Sequence, residues 1–139
     1  MLPSRRVYGI VGSREWKDYE GLCLFVDEAI RVHGPPAAFV SGGADGADKM
    51  GERYAKERYG METVIQDHAC ETVTEGAMNV FLPDWSSSAG RFAGLARNVL
   101  IAKFCDVLVA LPTKESRGTY HTIGQAKARG KVVVVAATE

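Results

Sequence analysis

Short apolar runs alternate along the chain with stretches in which apolar residues return every three or four positions. Val7 to Val11 has the composition of a buried strand and ends in Gly12-Ser13-Arg14. From Asp18 the period becomes helical, with Leu22, Phe25, Val26, Ala29 and Ile30 on one face, until Gly34-Pro35-Pro36 stops it. Ala37 to Val40 is the next strand run. A Ser41-Gly42-Gly43 turn follows, and Ala47, Met50, Tyr54 and Ala55 mark a second helix that starts near Asp45 or Gly46 and breaks at Gly60. Met61 to Gln66 reads as a third strand. Asp67 to Met78 carries no clear period, and Asn79 to Leu82 is a further strand candidate before Pro83. Pro83 to Gly90 is a loop by composition. Leu95, Ala96, Val99, Leu100, Ala102 and Phe104 outline a helix preceded by Gly94. Asp106 to Leu111 is an apolar strand of the kind parallel sheets bury on both faces. A turn from Lys114 to Thr119 leads into a helix carrying Ile123 and Ala126 and closed by Gly130, and Lys131 to Val135 is the last strand. Strands alternating with helices over short loops predict an α/β fold with a doubly wound, mostly parallel sheet of about five strands flanked by helices.

In open sheets of this type ligands sit beyond the carboxyl ends of the strands, so the residues that follow each strand are the candidates for chemistry. Gly12, Ser13 and Arg14 offer a hydroxyl and a guanidinium for a phosphate or carboxylate. In Ser41-Gly42-Gly43-Ala44-Asp45-Gly46-Ala47-Asp48, the glycines let a ligand approach the main chain, and the helix that follows presents unpaired N–H groups to an anion. A tight packing turn with Asp45 as N-cap fits the same residues equally well, since both the dinucleotide fingerprint and the Lys-Ser/Thr ending of a P-loop are missing. Trp85 beside Asp84 in a loop suits stacking on a base while the carboxylate takes a hydroxyl or amino group; Trp85 as a cap on the core fits equally. Arg97 and Asn98 fall in the first turn of their helix, where a cation opposes the helix dipole and hints at an anion. The Asp106 to Leu111 strand, the turn containing Ser116-Arg117-Gly118-Thr119 and the helix after it form a second unit of strand, glycine turn and helix, expected to converge with the first on one crevice. Asp67, His68, Cys70 and Glu71 form a metal-like group by composition but read as a solvated loop, so no metal is expected.

Composition narrows the field. The 139 residues are enough for one domain with a full core, and 46% apolar with 24% charged residues is ordinary for a soluble globular protein. Lysine plus arginine equals aspartate plus glutamate at 17 each, so bulk charge offers nucleic acid no attraction and a nucleic-acid partner is not expected. No apolar run is long enough to cross a bilayer, and Met-Leu-Pro-Ser-Arg-Arg lacks the apolar core of a signal peptide. A cytoplasmic location without a membrane partner is expected. Cys23, Cys70 and Cys105 are odd in number and far apart, which fits reduced thiols.

Taken in order, Gly12-Ser13-Arg14, Ser41 to Asp48, Pro83-Asp84-Trp85, Ala93-Gly94-Leu95-Ala96-Arg97-Asn98 and Ser116-Arg117-Gly118-Thr119 resemble the YpsA-related branch of the SLOG superfamily. That superfamily includes the "Lonely guy" phosphoribohydrolases, long misannotated as lysine decarboxylases, and the DNA-processing protein DprA. The resemblance implies a single Rossmann-like domain over residues 1–139 that binds a nucleotide or nucleotide-derived small molecule between the two glycine turns. It also implies a homodimer and no cofactor. Carried over by position, Gly42, Gly43 and Gly46 match the first phosphate turn, Gly118 and Thr119 the second, and Arg97 the arginine of the phosphoribohydrolase site. The glutamate that assists N-glycosidic cleavage in those hydrolases falls on Thr122, whose hydroxyl cannot stabilise an oxocarbenium-like centre or activate water as a carboxylate does. Sensing or sequestering of the ligand is therefore the expected function, with hydrolysis of a nucleoside monophosphate the alternative.

Overall fold

A computed structural model describes residues 5–85 and 92–137. The loop expected at Pro83 to Gly90 therefore lies partly outside the described residues, as do the first four residues of the chain. The elements in order are β1 (Arg6–Gly12), α1 (Tyr19–His33), β2 (Pro36–Ser41), α2 (Ala47–Tyr59), β3 (Thr63–Ile65), β4 (Met78–Val80), α3 (Ala93–Phe104), β5 (Val107–Leu111), α4 (Arg117–Ala128) and β6 (Val132–Val135). Six strands form one sheet in the order β3-β4-β2-β1-β5-β6, one more than expected. Every neighbouring pair is parallel.

The strand alternation divides the core in two, because successive side chains point to opposite faces. Tyr8 and Ile10 of β1 with Val107, Val109 and Leu111 of β5 pack under Leu22, Val26, Tyr54 and Ala55 of α1 and α2. Val11, Val40, Leu108 and Ala110 face the other way, onto Ile101 and Ala102 of α3 and Ile123 and Ala126 of α4. Asp18 caps α1 by accepting from the Gly21 amide at 2.9 Å. Gly60 closes α2 in the left-handed conformation, with φ 65°.

The starts of α3 and α4 differ from expectation, as does the cap of α2, whose start agrees with the expected Asp45 or Gly46. Gly46, rather than Asp45, is the N-cap of α2, and Asp45 is exposed. α3 begins at Ala93, so Arg97 and Asn98 lie beyond its first turn, clear of the strongest dipole field. Its buried positions are Ala93, Asn98, Ile101 and Ala102, while Leu95 is exposed, so the apolar face expected from Leu95 to Phe104 is rotated. α4 begins at Arg117, which puts Gly118 inside the helix instead of in the preceding loop. The aperiodic segment 66–77 is organised around Asn79, whose fully buried amide donates to Phe39 O, Thr74 O and Ala77 O and accepts from Thr74 N.

From β1 the chain crosses to β2 on one side, and from β5 to β6 on the other. The sheet's switch point therefore lies between β1 and β5, where their loops part and leave a crevice at the carboxyl edge.

Candidate functional site: a cleft at the switch point

A cleft of about 410 Å³ occupies that crevice. The β1 side supplies Gly12, Ser13, Arg14 and Glu15, the β2–α2 turn supplies Ala44 and Asp48, and α3 supplies Arg97, Asn98 and Ile101. Thr113, Glu115, Ser116, Arg117, Gly118, Thr119 and Thr122 close it from the β5–α4 side. Hydroxyl groups tie the two central loops together: Thr113 Oγ1 donates to Ser13 Oγ at 2.9 Å, and the Thr113 amide donates to Ser116 Oγ at 2.8 Å. Ser13 Oγ also accepts from the Glu15 amide at 2.9 Å. Thr113 escaped the sequence reading because a lone threonine after a proline carries no pattern of its own.

The first glycine turn is filled by the protein itself. The Asp48 carboxylate accepts from the amides of Gly12 and Ala44, each at 3.3 Å. Arg97 Nη1 donates to the Gly42 carbonyl, and Arg97 Nε donates to Asn98 Oδ1 at 3.0 Å. A Cβ on Gly42 would lie 2.5 Å from Arg97 Nη1 and 2.8 Å from Asp48 Oδ2, so glycine here admits these two side chains, not an outside anion. Gly46 has φ 75°, and a Cβ there would meet Ser13 O at 2.4 Å. The first amides of α2 are also engaged: Ala47 N donates to Ser13 O and Lys49 N to Ala44 O. Ser41 is buried, and its hydroxyl donates to Ile10 O at 2.7 Å.

Burial dominates the electrostatics of this corner. Desolvation pushes the Asp48 carboxyl up to about 6, against the opposing charge of Arg97 and the amides of Ala44, Gly12 and Gly42. Burial likewise lowers the Arg97 guanidinium from its ordinary value; Asp48 opposes that shift and Arg14 adds to it.

The second turn is open. A Cβ on Gly118 would find only Asn98 Nδ2, at 3.9 Å. Asn98 Nδ2 donates to Gly118 O at 3.2 Å and lies 3.3 Å from His121 Nδ1, which ties α3 to α4 behind the cleft. Thr122, at the position of the hydrolase glutamate, donates its hydroxyl to Gly118 O at 3.0 Å. Gly118 and Thr119, in the first helical turn of α4, line the cleft, and first-turn amides have no partner within their own helix.

Of the residues singled out in the sequence, Gly12, Ser13, Arg14, Asp48, Arg97, Asn98, Ser116, Arg117, Gly118 and Thr119 thus meet at one cleft. Ser41, Gly42, Gly43, Asp45 and Gly46 build the turn behind it without lining it, and Asp84 and Trp85 stand apart. The Trp85 ring lies beside the start of α3, 3.8 Å from where a Gly94 Cβ would be, and is 60% exposed. His68 Nε2 is hydrogen bonded to Leu82 O at 2.6 Å. Among the described residues no group of His, Cys, Asp and Glu is placed to hold a metal, and no helix is long and apolar enough to cross a membrane.

The fold and the position of the cleft define a Rossmann-like α/β protein with its site at the switch point. No family model matches the chain. It is 29% identical over 133 residues to the Gene 61 protein of Mycobacterium phage D29, covering 94% of each sequence. Solved structures that share its fold include two of DNA processing protein A (DprA). The Helicobacter pylori protein, studied for its single-stranded DNA binding mode, aligns with a TM-score of 0.62 at 18% identity over 96% of this chain. The Streptococcus pneumoniae protein aligns with a TM-score of 0.62 at 20% identity, also over 96% of this chain. The chain spans 66% and 50% of the lengths of these two proteins.

These relationships correct two expectations. A nucleotide-derived small molecule was expected as the partner and nucleic acid was not, with nucleoside monophosphate hydrolysis as the alternative. These two solved proteins, which share the fold, are DNA processing proteins, and one is described by its binding of single-stranded DNA. The physical reason is one of scale: equal totals of acidic and basic residues say nothing of how arginines are distributed, and Arg14, Arg97 and Arg117 gather at one cleft. The pair of amide turns invoked for a small phosphate is moreover reduced to one, since Asp48 occupies the first.

Proposed function

We propose that the chain binds single-stranded nucleic acid, with DNA as the first candidate, along the carboxyl edge of its sheet, and that the cleft receives the sugar-phosphate backbone. One observation carries this reading: arginines from three separate segments, Arg14 after β1, Arg97 in α3 and Arg117 at the start of α4, line the same cleft, with Arg97 also bonded to Gly42 O and Asn98 Oδ1. Planar guanidinium forks match phosphate oxygens two at a time. Asp48, Glu15 and Glu115 also border the cleft, so attraction there rests on directed donors and not on a net positive field. The first-turn amides at Gly118 and Thr119 and the hydroxyls of Ser13 and Ser116 complete the donor set. The likeness to DprA in fold supports this reading; separately, we propose from the order of its motifs that the chain belongs to the YpsA-related branch of the SLOG superfamily.

Fluorescence anisotropy of a labelled oligothymidylate at physiological salt tests the proposal. Single strands are expected to bind more tightly than a duplex of the same length, and a mononucleotide is expected to compete poorly. With up to three arginine–phosphate contacts, log K should fall with log salt at a slope of about −2. A flat salt response, or a mononucleotide that competes as well as the oligonucleotide, would overturn it.

A further inference from the structure

Beside the cleft lies a recess bordered by Lys114, Glu115, Ser116, Arg117 and Tyr120. Glu115, Ser116 and Arg117 border both spaces, so the two are adjacent. Tyr120 is an aromatic ring that the core does not use. The buried positions of α4 are Thr119, Thr122, Ile123 and Ala126, whereas Tyr120 is 46% exposed. Its backbone is fixed nonetheless, with Tyr120 N donating to Ser116 O at 3.0 Å in the first turn of the helix. A ring on a rigid first turn, with Lys114 and Arg117 bordering the same recess, presents an aromatic face beside two cations, adjacent to a phosphate-binding cleft.

Resting on the single-strand reading above, we propose that Tyr120 is a base-stacking platform, over which a nucleotide whose neighbouring phosphate lies in the cleft lays its unpaired base. Lys114 and Arg117 hold the phosphates on either side of that base. An unpaired base has a free π-face that a duplex hides within its stack, so the ledge gives the site its preference for single strands. Stacking on a phenol ring tolerates every base, so sequence preference is expected to be weak. One ring among charged residues does not make a contiguous apolar patch of the kind that marks a protein interface. Trp85 and Phe92, exposed rings at the start of α3, border neither the cleft nor the recess.

The test compares Tyr120→Ala and Tyr120→Phe with the wild-type protein on an oligothymidylate and on the same backbone carrying abasic sites. Y120A is expected to weaken binding of the normal strand by about five- to a hundredfold, the range for loss of one base–aromatic stack. Y120F, which keeps the ring, restores most of that loss. The abasic strand binds the wild type about as weakly as Y120A binds the normal strand, and removing the bases costs Y120A little more. The salt slope is unchanged in Y120A and shallower in Arg117→Ala. Wild-type binding that persists undiminished in Y120A, or that is indifferent to the bases, overturns the platform and leaves the cleft reading standing. Failure of the wild type itself to bind single strands overturns both.

Discussion

The chain contains the plan of strand, glycine turn and helix twice on one cleft, and the two copies do opposite things. After β2 the turn is closed. Asp48 sits on the amides of Gly12 and Ala44, Arg97 takes the Gly42 carbonyl, and the start of α2 is tied to Ser13 O. After β5 the turn is open, with clear space beside Gly118 and the helix start facing the cleft. The contrast shows that a glycine at a helix start does not say what approaches the backbone. At Gly42, before α2, it is the protein's own carboxylate and guanidinium; at Gly118, inside the first turn of α4, no atom comes closer than 3.9 Å to an added Cβ, and by our proposal a phosphate approaches.

The comparison breaks most readily at Gly46. Alanine there adds a Cβ at 2.4 Å from Ser13 O on a backbone with φ 75°, so Gly46→Ala is expected to cost about 3 kcal/mol or more in urea denaturation. A small loss would show that the first turn can relax and is not the rigid packing device described. A similar magnitude attaches to the titration of Asp48. Its carboxyl is pushed up to about 6 from an ordinary 3.8, so the folded chain holds a proton that the unfolded chain has released. The stability this group contributes is therefore complete below its unfolded value and is lost as pH rises through about 6. Across that window the wild type should lose on the order of 3 kcal/mol relative to Asp48→Asn. Parallel stability–pH curves for the two proteins would show that the carboxylate is not desolvated in the turn.

Arg97 belongs to both regions, since it braces the closed turn and lines the open cleft. Arg97→Ala is expected to reduce single-strand affinity at least about tenfold and to lower stability by about 1–3 kcal/mol, because the buried Asp48 loses its compensating charge. Arg97→Lys should restore charge without the fork that bonds Gly42 O and Asn98 together, and so recover only part of both. The smallest effect sharpens the contrast. Gly118→Ala meets no atom closer than 3.9 Å, so the helix should gain up to about 1 kcal/mol while binding weakens as the added methyl narrows the approach to the amides. A destabilised G118A would mean that the second turn is packed like the first.

Much of the architecture was legible along the chain. Apolar runs and helical periods marked segments that overlap the ten elements, although a sheet of about five strands was expected instead of six, and the alternation of strands with helices specified a parallel, doubly wound sheet. The capping role of Asp18 and the arrest at Gly60 also agree with the local pattern. Legibility failed where a residue's role depends on something distant in sequence. Asp45 looked like the cap of α2, but Ala47 N is taken by Ser13 O from another loop. Asp48 looked like one more acidic residue near a phosphate turn, although it is the anion that fills it. Net charge pointed away from nucleic acid because it averages over the whole surface, whereas the binding we propose samples one cleft.

Local composition and periodicity determined the strands, the helices and the edge of the sheet at which chemistry would gather, because those features follow from backbone geometry and the burial of neighbours a few residues apart. Which of the two glycine turns remained open, and which arginines came to share a cleft, was decided only in three dimensions. Those outcomes depend on contacts between residues such as Gly42 and Arg97, which α3 and the sheet order bring together across 55 positions of chain.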